Sequence, residues 1–375
     1  MKRLTICLTV LALLAVCPVF AQEEAEQKKN KEAAQKKPLV QIAILLDNSG
    51  SMGGLINQAR SELWKIVNEF VTAKLGDQQP NLEVAVYHYG RPPATQLVPL
   101  TDDLDRVSEA LFGIPVSGGS EHCGQVIQMA TDDLKWSNEG RDLKLIFIAG
   151  NEPFTQGPVN YRDACKAAIA KGIMVNTIHC GNGIPAGWKD GALLADGKSM
   201  NINHQQAVVN IQAPQDKKIA QLGVDLNKTY IPFGMAGKKG LARQAAQDAN
   251  ARGASLASGQ QRAVAKANSF YRNARWDLCD ACLEGKIDLK KIKVEDLPEN
   301  MRKMTVEQRL KYVKDMQKQR ETLKKQINSL NAARVKYVVD ARKEAAEKTG
   351  EKTLDEALIG AIRDQAAGKN YRFGK

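Results

Sequence analysis

The stretch Val40-Gln41-Ile42-Ala43-Ile44-Leu45-Leu46 is apolar at every position but one, and it runs directly into Asp47-Asn48-Ser49-Gly50-Ser51. A strand with one wet face alternates apolar and polar side chains. A strand covered on both faces does not need to. After the polar turn, Leu55, Ala59, Leu63, Ile66, Val67, Phe70 and Val71 recur at steps of three and four, the buried stripe of a helix. A doubly covered strand, a tight turn and an amphipathic helix restrict the chain to sheets with helices on both sides. The pattern then repeats. Leu143 to Ala149 is a second buried run, Tyr161 to Lys171 reads as a helix, and Ile173 to Ile178 reads as a third strand. Leu82 to Tyr89 and Thr95 to Leu100 form an edge hairpin turned at Gly90 to Pro93, and Lys228 to Pro232 reads as a last strand. The fold class is therefore α/β: an open, doubly wound, mostly parallel sheet followed by a C-terminal α-helical extension.

The rest of the chain divides by texture. Lys2 and Arg3, an apolar stretch from Leu4 to Val16, and Val19-Phe20-Ala21 make a secretory signal peptide over 1–21. This places the protein in the periplasm or outside the cell. The lipoprotein alternative through Cys17 is disfavoured by Val16 before it and Pro18 after it. No other stretch is long and apolar enough to give a stable membrane span. A charged leader occupies 22–37, the α/β domain 38–240 and an Ala-rich helical region 241–285. A basic helical, coiled-coil-like extension occupies 286–375. Its apolar positions Val306, Leu310, Val313, Leu323, Ile327, Leu330 and Tyr337 step like one long helix, but Gln317, Arg320 and Arg334 fall in the seam. From 286 to 375 the chain has 23 Lys and Arg against 14 Asp and Glu, so most of the net charge of +12 belongs there. These charges are mixed and carry few interleaved aromatics, which argues against nucleic acid and for a solvated helix face. The narrow seam predicts an extension that the α/β domain does not need in order to fold, and through which it can oligomerise.

The chemistry concentrates at the first turn. In open α/β sheets ligands bind beyond the carboxyl ends of the strands. Asp47, Ser49 and Ser51, at alternating positions of one turn, can point hard oxygen donors at a single centre, which suits Mg²⁺, Mn²⁺ or Ca²⁺. The alternative is a polar turn that caps the next helix. An Asp-x-Ser-x-Ser turn between a buried strand and a helix resembles the metal-ion-dependent adhesion site (MIDAS) of von Willebrand factor A domains, over roughly Pro38 to Gly240. The resemblance implies a hydroxyl ligand from a second loop, which falls on Ser120 in Ser117-Gly118-Gly119-Ser120-Glu121. It also implies an Asp from a third loop. That position is Gly150 in Ala149-Gly150-Asn151-Glu152-Pro153, so Asn151 or Glu152 would have to substitute. The wider chain is similar to a group of secreted bacterial proteins of this class, through Gly150 to Phe154 and Asn176 to Gly181. That likeness supplies a fold and a site but no substrate.

Five cysteines lie beyond the leader. Cys123, Cys165 and Cys180 fall near the ligand edge of the sheet, and export predicts a disulfide between two of them. His122-Cys123 with His179-Cys180 is a weaker soft-metal alternative. Cys279-Asp280-Ala281-Cys282 has a redox spacing but no preceding strand. No nucleophile, acid–base pair or cofactor loop stands at motif spacing, so the expectation is not an enzyme. It is a binding module whose cation takes a carboxylate from a protein partner. The alternatives are a scaffold with a degenerate metal site that acts through its helices and, less favoured, a redox or metal-dependent enzyme.

Overall fold

Strand β1 (Leu39–Leu46) sits in the middle of the sheet that it predicts. The computed structural model describes residues 37–52, 64–202, 211–349 and 354–374. The signal-peptide and leader assignments lie outside the described residues, as does the first part of the helix after the turn, with Leu55, Ala59 and Leu63. Beside β1 run β3 (Asn81–His88) and β5 (Leu143–Gly150), both parallel to it; β2 (Ala73–Leu75) is a short separate strand. Strand β4 (Thr95–Thr101) closes the hairpin antiparallel to β3. Strands β6 (Ile173–Cys180) and β7 (Ser199–Ile202) extend the parallel side. The order is β4-β3-β1-β5-β6-β7. The chain thus passes to one side of β1 and then to the other, and the crevice where it changes sides is the usual ligand position.

Two core layers account for the continuous apolar runs. Val40, Ile42 and Leu46 of β1, with Leu145 and Phe147 of β5, face one layer. Ala43 and Leu45, with Ile146 and Ile148, face the other. The second layer is covered by α2 (Cys123–Asp133), α3 (Tyr161–Ala170) and α4 (Ala186–Leu193); α1 (Leu104–Gly113) packs in the first. Lys228 to Pro232 is not a strand. Among the described residues it offers one bridge, Pro232 to Asp277, and Ile231 instead enters a small third cluster.

The helical region is where the structure departs most from expectation. It comprises α5 (Asp216–Asn227), α6 (Gly234–Ala254), α7 (Leu256–Ala267), α8 (Leu278–Leu283) and α9 (Glu299–Arg302). After these come α10 (Val306–Thr349) and α11 (Leu354–Gly368). The C-terminal helical region is present as expected, and its helices also enter the core of the α/β domain. Pro38–Lys375 is one compact unit, and Ile327, Leu358, Ile362 and Ala366 share the core layer of Val40 and Leu145. Helix α10 is not a coiled coil. Arg320, which interrupts its seam, is 3% exposed. It bonds Asp277 at 2.6 Å, Asp280 at 2.8 Å and the Thr229 carbonyl at 2.6 Å. Arg334 reaches Asp216 at 2.8 Å. Part of the seam expected to support self-association, Val313 and Ile327, is buried within the chain, while Leu310 and Tyr337 remain exposed. Past α11, β8 (Tyr371–Phe373) pairs antiparallel with β2, and Gln365 and Asn176 exchange amide hydrogen bonds of 2.9 and 3.0 Å.

Candidate functional site

The polar turn begins where β1 ends. The Asp47 N–H donates to the Ala149 carbonyl at 2.9 Å, and Asp47 is fully buried. Its Oδ1 accepts the Ser49 N–H at 2.8 Å. The Ser49 and Ser51 hydroxyls are 2.9 Å apart, and Ser51 donates to Asn151 Oδ1 at 3.1 Å. Asp47, Ser49, Ser51 and Asn151 are therefore joined by one chain of hydrogen bonds. Asp47 and Ser49 are buried, Ser51 is exposed and Asn151 is half-buried.

Asn48, one of the two unspecified positions of the motif, holds the loops in place. Its Oδ1 accepts from the Gly90 N–H at 2.8 Å, its Nδ2 donates to the Pro115 carbonyl at 2.8 Å, and its carbonyl accepts from Ser117 at 2.7 Å. The loops meet so closely that side chains are excluded. A Cβ on Gly118, at φ +124°, would stand 1.8 Å from the Gly90 oxygen. Glycine there satisfies both the backbone angle and the contact.

The loop after β5 has no room for the missing Asp. A Cβ on Gly150 would lie 2.4 Å from the Tyr89 hydroxyl and 3.2 Å from Asp47 Oδ2. Tyr89 is itself buried, and its hydroxyl donates to the Ala149 carbonyl at 2.8 Å. Asn151 and Glu152 are half-buried; the Glu152 backbone carbonyl is held by Trp188 Nε1 at 2.9 Å. On the second loop Ser120 is exposed, and its N–H bonds the Gly90 carbonyl at 3.4 Å. Its neighbour Glu121 is only 2% exposed. Sequence reasoning passed over Glu121, Tyr89 and Asn48. The available signal was a carboxylate directly beside the expected hydroxyl.

Electrostatically the described part of the site is acidic. Burial raises the Asp47 pKa, with a further push from Glu152; the Ser49 N–H and hydroxyl and the Asn151 backbone oppose it. Burial also raises Glu121, followed by the charges of Asp47 and Glu152. Asp47 Oδ2 is buried without a hydrogen-bond partner of good geometry. Among the described residues, no Lys or Arg pairs with Asp47, Glu121 or Glu152. A buried, unpaired carboxylate oxygen beside two hydroxyls fits a hard divalent cation. It does not fit a soft one. Among the described residues no three His, Cys, Asp or Glu side chains cluster as metal ligands, and His179 Nδ1 is taken up by the Gly183 carbonyl at 2.7 Å.

The family model for the von Willebrand factor type A domain matches residues 41–187. The match spans less than half of the chain. The BatB protein of Bacteroides thetaiotaomicron is 18% identical over 44% of this chain and 90% of its own, with a TM-score of 0.35. The SpRpn10 VWA domain is 19% identical over 45% of this chain and 91% of its own, with a TM-score of 0.37. Proximal thread matrix protein 1 from the mussel byssus, in a structure described as having a zinc-occupied MIDAS motif, is 16% identical over 44% of this chain and 42% of its own, at 0.35. No curated protein matches the chain significantly.

The expected disulfide is absent. Cys123, Cys165, Cys180, Cys279 and Cys282 are all free, and the first four are buried. Strand parity is part of the reason. Cys180 lies at an even position of β6 and joins the layer of Met174. Cys123 and Cys165 join the opposite layer, with Ile173 and Val175. The sheet therefore separates Cys180 from the other two. Burial raises the thiols, Cys165 and Cys180 to about 12. Cys279 packs among Leu278, Leu297 and Val313 and is likewise pushed up to about 12 by burial, which does not suit redox chemistry.

Proposed function

We propose that the domain is a protein-binding module that holds a hard divalent cation, Mg²⁺, Mn²⁺ or Ca²⁺, at Asp47, Ser49 and Ser51, and that this cation captures a carboxylate of a protein partner. The observation that carries the reading is the buried, unpartnered Oδ2 of Asp47 at the carboxyl end of β1. The cation supplies positive charge to a site that, among the described residues, pairs its carboxylates with no Lys or Arg, and it offers a coordination position for an outside carboxylate. The chain's own residues orient it: Asn48 and the close glycine contacts fix the loops, and exposed Ser51 forms the rim. A von Willebrand factor type A domain is in general an interaction module, which agrees with a binding role and not with catalysis. Metal and partner then raise each other's affinity by the same factor.

Titration calorimetry with Mn²⁺, Mg²⁺ and Ca²⁺ on wild type and Asp47→Ala tests this. The variant is expected to lose roughly tenfold or more in affinity, the scale on which ligand environments act. Partner capture is expected in metal and not in chelator. If wild type and Asp47→Ala capture partner equally in both, the helical-scaffold reading replaces this one.

We further propose that the interaction takes place outside the cytoplasm, on the strength of the tripartite leader. N-terminal sequencing of the exported protein is expected to begin near Gln22. An intact Met1, or lipid on Cys17, would overturn that.

A further inference from the structure

The third loop enters the site at Gly150, where Tyr89 leaves no room for a side chain: its hydroxyl lies 2.4 Å from where a Cβ would stand. The first side chain that this loop carries is therefore that of Asn151, and it reaches the turn. The Ser51 hydroxyl donates to Asn151 Oδ1 at 3.1 Å. Glu152, the other residue able to substitute, is already engaged: Gln156 Nε2 donates to its Oε2 at 3.4 Å, and Trp188 Nε1 donates to its carbonyl at 2.9 Å. A serine hydroxyl has one proton and two acceptor lone pairs. An amide oxygen can only accept, so the Ser51 proton belongs to Asn151. The Ser49 and Ser51 hydroxyls are 2.9 Å apart, in a bond where either oxygen could donate. With the Ser51 proton committed, the donor of that pair is Ser49. Asn151 thus orders both protons, from Ser49 to Ser51 and from Ser51 to itself. The remaining lone pairs of the two serines stay free. Beside them the Ser49 N–H holds Asp47 Oδ1 at 2.8 Å, and Asp47 Oδ2 is buried without a hydrogen-bond partner.

We propose that Asn151 positions the hydroxyls of Ser49 and Ser51 for the cation from the third loop, as a neutral acceptor in place of the Asp that the resemblance implies. The proposal rests on the reading of these loops as a cation site. It changes what that site can do. Of the four residues joined by hydrogen bonds, only Asp47 carries a charge, and affinity for a hard cation rises with ligand charge. Ordered hydroxyls favour the ion, but the missing charge keeps the site from filling tightly on its own. The partner's carboxylate supplies that charge, so capture of the partner and retention of the metal are one event.

The test is Mn²⁺ binding to the full chain without partner, read by titration calorimetry and by the paramagnetic signal of free Mn²⁺. Wild type, Asp47→Asn, Asn151→Ala, Asn151→Asp and Glu152→Gln are compared, and melts in chelator check that each variant folds. Asn151→Ala is expected to weaken Mn²⁺ roughly tenfold, the scale on which residues behind the ligands act. Asn151→Asp keeps the acceptor and adds a charge. It is expected to bind roughly tenfold more tightly than wild type, a gain that a merely structural role would not give. Glu152→Gln is expected to lose less than Asn151→Ala. If Asn151→Ala matches wild type while Asp47→Asn loses binding, the role of Asn151 is overturned and the cation site stands. An Asn151→Asp variant no tighter than wild type, or a larger loss in Glu152→Gln than in Asn151→Ala, also overturns it. If neither wild type nor Asn151→Asp takes up Mn²⁺, the cation reading itself fails, and this proposal fails with it.

Discussion

At the scale of single residues, Gly150 shows how a departure from a motif can be built in. The Tyr89 hydroxyl occupies the space that an Asp side chain would need, and it is fixed there by its bond to the Ala149 carbonyl. Gly150→Asp should therefore not restore a metal site. It should overpack the junction and add a carboxylate beside Asp47, costing roughly 1–3 kcal/mol from overpacking alone. Urea denaturation of Gly150→Asp against wild type measures this. Unchanged stability would mean that Tyr89 swings aside, and the plug would no longer explain the glycine. The sequence displayed the glycine but not its cause, because Tyr89 lies 60 residues before Ala149, the glycine's neighbour. The same limit hid Asn48, which occupies one of the two unspecified motif positions, and Glu121, which is buried beside the exposed Ser120.

At the scale of elements, what could be read was whatever has a long, uniform pattern. The buried strands β1, β5 and β6 appear near their expected bounds, and α10 spans the positions expected to step as one long helix. Each is governed by local periodicity and burial, and these leave a trace in consecutive residues. Strands β2 and β8 have three residues each and were invisible. Nothing in so short a stretch announces pairing with a segment almost three hundred residues away. The polar residues in the seam of α10 were the most misleading signal. Arg320 and Arg334 weaken a coiled-coil reading, yet they are the docking groups. Arg320 meets two Asp carboxylates and a carbonyl and lies 4.0 Å from the Tyr230 ring centroid. A guanidinium tolerates burial only when such partners replace its water. Those partners come from segments that one-dimensional periodicity cannot place beside α10.

At the scale of the whole molecule, the question is whether the von Willebrand factor type A domain stands alone. A basic, polar-surfaced C-terminal region suggested that a chain ending near Gly285 would keep its cooperative transition, and the structure predicts the opposite. Such a truncation removes Ile327, Leu358 and Ile362, all 0–1% exposed, from the layer that covers β1 and β5. Each fully buried aliphatic side chain of this size contributes about 1.5–3 kcal/mol. The cut also strips β2 of its only partner strand among the described residues and leaves Asn176 without Gln365. The sum approaches the roughly 5–15 kcal/mol by which a whole domain is stable. Calorimetric melts of chains spanning 38–285 and 38–375 provide the comparison. The longer chain should show one cooperative transition, and the shorter a weak or absent one with exposed apolar surface. A sharp transition retained in the shorter chain would show that the helices are only appended to the domain, despite their place in its core.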